Sequence, residues 1–180
     1  MKKLILVSLF FLVSNLFAQQ ALLTKSYSIG GNISFSSYSE DSDSDNMNYF
    51  NFVPSVGYFF VDYLYTGVRL QYSYYSSGDN SRNTFGFAPE VRYYFPLDKL
   101  NPFLGFSYGY SISTTEDDDE NTNSALTLSG GADYFIHDHF AIEGAINYSF
   151  LSRGYSSNDY SVDSNGTNFE IGFGVKYFIF

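Results

Sequence analysis

The sequence predicts an all-β chain, an eight-stranded antiparallel transmembrane β-barrel behind an N-terminal signal peptide. Three observations carry that reading. Eight stretches alternate strictly between apolar and polar or small residues, and a period of two gives an extended strand one apolar face. Their connections are alternately short and long. The charges within the alternating stretches share a face with Gly, Ala and Ser, opposite an unbroken aromatic and aliphatic face. Over 85–112, Glu90 and Arg92 stand with Gly86 and Ala88, against Phe85, Phe87, Val91, Tyr93 and Phe95. A soluble barrel turns its apolar face inward, whereas a membrane barrel turns it to lipid and fills its interior with the rest.

The chain opens Met1-Lys2-Lys3 and continues apolar from Leu4 to Phe17, apart from Ser8, Ser14 and Asn15, before Ala18 and Gln19. A cationic start, an apolar core of about 7–15 residues and a small residue at the cut describe a secretory signal. The run falls short of the roughly 20 apolar residues a helical membrane anchor needs. Residues 1–18 are therefore read as signal peptide and 19–180 as one barrel domain.

Eight strands follow at 26–37, 49–60, 64–75, 85–95, 102–112, 125–136, 140–150 and 167–179. Each can supply the roughly 9–11 residues of a tilted strand crossing a bilayer. The connections 61–63, 96–101 and 137–139 are short; 38–48, 76–83, 113–123 and 151–166 are long and polar. That layout puts the long loops outside the cell and both termini in the periplasm. A repeat reinforces it: Gly57-Tyr58-Phe59-Phe60, Arg92-Tyr93-Tyr94-Phe95, Asp133-Tyr134-Phe135-Ile136 and Lys176-Tyr177-Phe178-Ile179. One copy ends each even-numbered strand, where an interfacial aromatic belt belongs. Pro54 and Pro89 lack a ladder donor inside closed-barrel strands, which predicts a bulge or a missing bond at each.

Tyr 18 and Phe 20 in 180 residues suit strands and membrane interfaces, and the absence of cysteine excludes disulfides and thiolate metal sites. The net charge of −10 argues against nucleic acid as a partner. Most of that charge lies in the long connections. Asp41, Asp43 and Asp45 open like a calcium loop, but Asn46 and Phe52 stand where Gly and Glu are required. With Glu116, Asp117, Asp118, Asp119 and Glu120 they are candidates for weak divalent-cation contacts only. No dedicated metal site and no cofactor are expected.

The inward face collects Arg69, Glu90, Arg92, Asp133, Glu143, Glu170 and Lys176. Buried charges need partners, so an ion-pair network plugging the interior is expected, with at least one acid hydrogen-bonded or protonated because carboxylates outnumber cations. An eight-stranded interior is just wide enough for side chains. His137 and His139, the only histidines, share a short turn away from any Ser and acid grouping, so no enzyme is expected.

The Pro-x-x-x-Tyr strands at Pro54 and Pro89 and the ending Gly-Val-Lys-Tyr-Phe-Ile-Phe resemble the outer-membrane β-barrel domain family of Gram-negative bacteria, small eight-stranded proteins often labelled porin-like. The resemblance covers 26–180. It implies a C-terminal strand read by the barrel-assembly machinery, although Ile179 occupies the usual terminal Phe position and Phe180 lies one residue beyond. The expected role is structural or surface-interactive: envelope integrity, adhesion or contact with an unknown extracellular ligand through acidic loops, as a monomer in outer-membrane lipid. The alternatives are a narrow porin-like channel for small solutes and a secreted soluble lipocalin-like binding barrel.

Overall fold

The computed structural model describes residues 20–38, 47–78, 80–115, 120–157 and 160–180. The signal-peptide reading of 1–18 and the candidate cation contacts Asp41, Asp43, Asp45, Glu116, Asp117, Asp118 and Asp119 lie outside these residues. Glu120 opens a strand, but its side chain is not among those described. Strands β1 (Tyr27–Tyr38), β2 (Met47–Val61), β3 (Leu64–Ser77), β4 (Asn80–Tyr94), β5 (Leu100–Thr115), β6 (Glu120–His137), β7 (Phe140–Ser157) and β8 (Tyr160–Ile179) close one antiparallel barrel in sequence order. Among the described residues, a 3-10 turn, Gln20–Leu22, precedes them.

The strands run further than alternation predicts. The long connection read at 76–83 contracts to 78–79, with Ser77 paired to Asn80, and 151–166 contracts to 158–159, with Ser157 paired to Tyr160. Ladder bonds need backbone groups, not apolar side chains. Where both faces of a hairpin meet water, alternation fades while pairing persists.

The outward face is apolar throughout: Ile29, Val56, Leu70, Phe87, Leu104, Leu128, Ile142 and Phe173 are all exposed. Both prolines interrupt a ladder without shifting it. Phe52 pairs with Tyr72 and Ser55 with Arg69, leaving Val53 and Pro54 unpaired towards β3. Phe87 pairs with Tyr110 and Glu90 with Ser107, leaving Ala88 and Pro89 unpaired towards β5. Of the two accommodations expected for a proline in a closed barrel, a bulge or a missing bond, both positions take the missing bond. Its bulges lie elsewhere, between Phe59 and Val61 and between Phe135 and His137, beside two short turns.

The Tyr-Phe repeat proves to have two faces. Tyr93, Tyr134 and Tyr177 point outward as a belt, whereas Phe59, Tyr94, Phe135 and Phe178 are buried inside the barrel. With Tyr65 and Phe103 they form an aromatic plug at the short-turn end, with ring centroids 5.4 Å apart for Phe59–Tyr65 and Tyr94–Phe103 and 4.9 Å for Phe135–Phe178. The expectation of a belt alone therefore needs correcting. Period two sends the residue after each belt tyrosine inward.

Below the plug, Ala21 and Leu22 are fully buried. Tyr63 N donates to Leu22 O at 2.8 Å, and Lys25 N to Phe59 O at 2.9 Å. Thr24 clasps the β2–β3 turn through both its N–H (2.8 Å) and its hydroxyl (2.6 Å) to Asp62 Oδ1. These bonds favour the ionised carboxylate, so the Asp62 pKa falls below its ordinary value.

Candidate functional site

Directly above the aromatic plug, the inward positions of β3, β4, β6, β7 and β8 bring six charges together. Arg92 donates to Glu90 Oε2 through Nε (3.1 Å) and Nη2 (3.0 Å), and its Nη1 reaches Glu143. Lys176 also pairs with Glu143, and it donates to Asp133 Oδ2 at 3.2 Å and Tyr94 OH at 2.8 Å. Tyr94 in turn donates to Asp133 Oδ2 at 3.1 Å. Arg69 Nε lies 3.2 Å from Glu90 Oε2 but off its N–H direction, an ion pair without a directed bond, while Nη2 donates to Ser107 Oγ at 2.8 Å.

Three cations thus face three carboxylates. Glu170, the seventh residue of the sequence-read set, stands outside the cluster, exposed and bonded by Asn147 Nδ2 at 3.4 Å. The four-to-three excess of acids does not exist within the cluster, so protonation is not required for balance. The rings below add to the cation stabilisation: the Arg92 guanidinium lies 4.5 Å from the Phe103 centroid and Lys176 Nζ 5.4 Å from it. Glu90 Oε1 and Asp133 Oδ1 have no protein donor among the described residues.

Tyr94, Phe103 and Tyr65 belong to this site although a search for charges overlooks them. The signal was parity: Tyr94 shares a face with Glu90 and Arg92, and Phe103 with Gly105 and Ser107. Tyr65 is seated by two glycines paired across β2 and β3. A Cβ on Gly57 or Gly67 would collide with the Tyr65 ring and hydroxyl.

On the far side of the network the interior opens into a polar cavity of about 850 Å³, lined by residues such as Asn51, Gln71, Ser73, Thr127 and Asn147 and floored by Arg92 and Lys176. The expectation of a plug throughout is thereby corrected. Gly, Ala, Ser and Asn on the upper inward positions are too small to fill the lumen. Hydrogen bonds between neighbouring strands line its wall, as from Ser73 Oγ to Asn51 Oδ1 (2.8 Å) and between Thr127 and Ser149 (2.8 Å).

The two histidines sit at the opposite, short-turn end, stacked with centroids 6.1 Å apart. Phe180, out of phase with the strand, stacks on His139 at 4.4 Å. His139 Nδ1 lies 2.8 Å from Phe178 O, and in the Nδ1–H tautomer it donates there. The β6–β7 turn and the chain end are thus bound together, remote from the cavity.

Solved structures share this architecture. Neisserial surface protein A is 15% identical, covers 84% of this chain and 94% of its own, and superposes with a TM-score of 0.56. The N-terminal β-barrel domain of Pseudomonas aeruginosa OprF is also 15% identical, with coverages of 87% and 98% and a TM-score of 0.54. At such identity these structures speak to the fold alone. No curated protein sequence matches. The family model described as outer membrane protein beta-barrel domain matches residues 4–177. A closed eight-stranded barrel with an apolar exterior, a charged interior and this match belongs to the outer-membrane protein β-barrel domain family.

Proposed function

We propose that this outer-membrane barrel has a structural or surface-interaction role rather than a transport or catalytic one. The observation that carries the reading is the double closure of the short-turn half. Solutes entering the cavity meet the Arg92–Glu143–Lys176 layer and then the Phe59–Tyr94–Phe178 plug. Parting the ion pairs alone leaves the rings in place. In this reading the long loops face outward from the cell, with the termini in the periplasm. A signal peptide at 1–18 directs export, and the assembly machinery reads the C-terminal strand. The acidic loops then contact an external ligand or loosely held cations and contribute to adhesion or envelope integrity, from a monomer in lipid.

The test is conductance of the full chain in planar bilayers. Silence at voltages where porins conduct supports the structural reading, and discrete steps support the narrow porin-like alternative. A cell-surface phenotype on deleting 116–119, with the heat-dependent gel shift of the barrel retained, assigns the interaction to that loop.

A further inference from the structure

The barrel is closed unevenly. β1 pairs with β2 along its whole length, from Tyr27–Tyr58 to Tyr38–Met47, and β8 pairs with β7 up to Ser157–Tyr160. Between β1 and β8, however, pairing runs only from Tyr27–Ile179 to Gly31–Val175. Beyond Gly31 the facing edges, 32–38 and 160–174, carry no ladder between them. Every residue of 164–171 is exposed on both faces, unlike the alternation of the paired strands.

This seam lies at the level of the apolar belt. Ile33 and Phe35 flank one side, Ile171 and Phe173 the other, with Phe173 the most exposed at 75%. Unpaired backbone N–H and C=O groups in hydrocarbon are costly, so an occupant with hydrogen-bonding groups is called for. The seam also opens into the cavity, because its edge residues Gly31, Asn32, Asn168, Gly172 and Gly174 line it. Among the described residues the interior charge is balanced: Arg69, Arg82, Arg92 and Lys176 against Glu90, Asp133, Glu143 and Glu170. The remaining polar lining is largely amide and hydroxyl, complementary to a head group that is polar but uncharged.

We propose that the β1–β8 seam is a lateral portal at which an uncharged, hydroxyl- or amide-bearing amphiphile seats its head group in the cavity while its chain stays in lipid. This goes beyond the structural role proposed above and does not require conduction. A strand from a second copy could pair with the open edges but would leave the cavity unfilled; the amphiphile satisfies both.

The chain has no cysteine, so introduced pairs report cleanly. Ile29→Cys/Tyr177→Cys joins positions that are paired. Phe35→Cys/Ile171→Cys joins positions that would be paired if the same register continued. A disulfide needs Cα atoms roughly 4.4–6.8 Å apart. In phosphatidylcholine vesicles the first pair should oxidise and the second should not. An alkyl glucoside carrying a diazirine on its sugar should label cavity residues of the unaltered chain, in competition with octyl glucoside. Bridging Phe35→Cys/Ile171→Cys with a bis-maleimide should cut that labelling about tenfold.

Oxidation of the second pair as complete as the first would mean a closed seam and overturn the proposal. Disulfides between copies would make a second copy the occupant, with the same result. Labelling confined to the lipid face would also sink it. If the cysteine variants fail to fold, the position of the label on the unaltered chain decides the matter alone.

Discussion

Removing the charge of Lys176 is the sharpest test of how the interior is held. Its ammonium is the shared partner of Asp133 and Glu143 and touches Tyr94, with both Lys176 and Asp133 buried. Lys176→Met keeps an unbranched stem over the aromatic plug but leaves Asp133 as a buried carboxylate held only by the Tyr94 hydroxyl. Breaking a buried pair from one side costs about 3–5 kcal/mol. With a urea slope of about 2 kcal/mol/M, that moves the unfolding midpoint down by roughly 2 M. The assay is equilibrium urea unfolding in phospholipid vesicles, read by the heat-dependent gel shift. Adding Asp133→Asn removes the stranded charge and should recover most of the loss, because a neutral amide still bonds Tyr94. Bilayer conductance should stay silent in both variants, since the rings remain. A loss under about 1 kcal/mol, or a double variant as unstable as the single, would refute this reasoning.

Gly67→Ala forces a methyl into the Tyr65 ring and should cost about 1–3 kcal/mol by overpacking, with Gly57→Ala behaving alike. A double-mutant cycle with Tyr65→Ala should show strong coupling in urea unfolding, and additive effects would count against the contact. Pro89→Val restores an amide where Ala88 and Pro89 lack partners on β5. It should stabilise by about 0.5–1.5 kcal/mol and slow hydrogen exchange at Gly109 and Tyr108. The Thr24–Asp62 clasp gives a pH dependence whose sign follows from the lowered Asp62 pKa. Its contribution is present above the ordinary carboxylate pKa of 3.8 and is lost as pH falls through the lower folded value. A spin label on Gln20→Cys should therefore be immobile at neutral pH and loosen only in that acid range. Thr24→Val should loosen it at all pH values, and a label indifferent to both changes would exclude the clasp.

Parity made most of the barrel legible. In β4 a single run, Gly86, Ala88, Glu90, Arg92 and Tyr94, already states which side chains share the interior, and the structure places Glu90, Arg92 and Tyr94 in mutual reach of one network. What parity could not supply was depth. Nothing local distinguishes Glu170, exposed beside the cavity, from Lys176, buried beneath it; six residues of strand rise separate them. The hairpin extensions at 76–83 and 151–166 were hidden because polar residues on both faces read as loop, although their backbone pairing is continuous. The Gln20–Leu22 cap was hidden for a different reason. Leu22 is buried and its carbonyl accepts from Tyr63 N–H in the β2–β3 turn, a contact between segments distant in sequence rather than one made by any local pattern.

The depth order nevertheless has a physical logic repeated on all four even-numbered strands. Moving from the short turns into the lumen, the inward residues are Phe59, Gly57 and Ser55 on β2, and Tyr94, Arg92 and Glu90 on β4. They are Phe135, Asp133 and Gly131 on β6, and Phe178, Lys176 and Gly174 on β8. A ring comes first, then a charge or a glycine that makes room for Tyr65, and beyond that mostly small residues. The rings exclude water from one side of the charges, which strengthens their pairing, and Arg92 and Lys176 lie over ring faces. The small residues beyond leave the cavity. Reversing the first two layers would place charges at the aqueous mouth and rings in mid-lumen, giving a weaker network with water on its outer side. The blind cavity above an ion-pair floor is therefore a consequence of residue order along each strand.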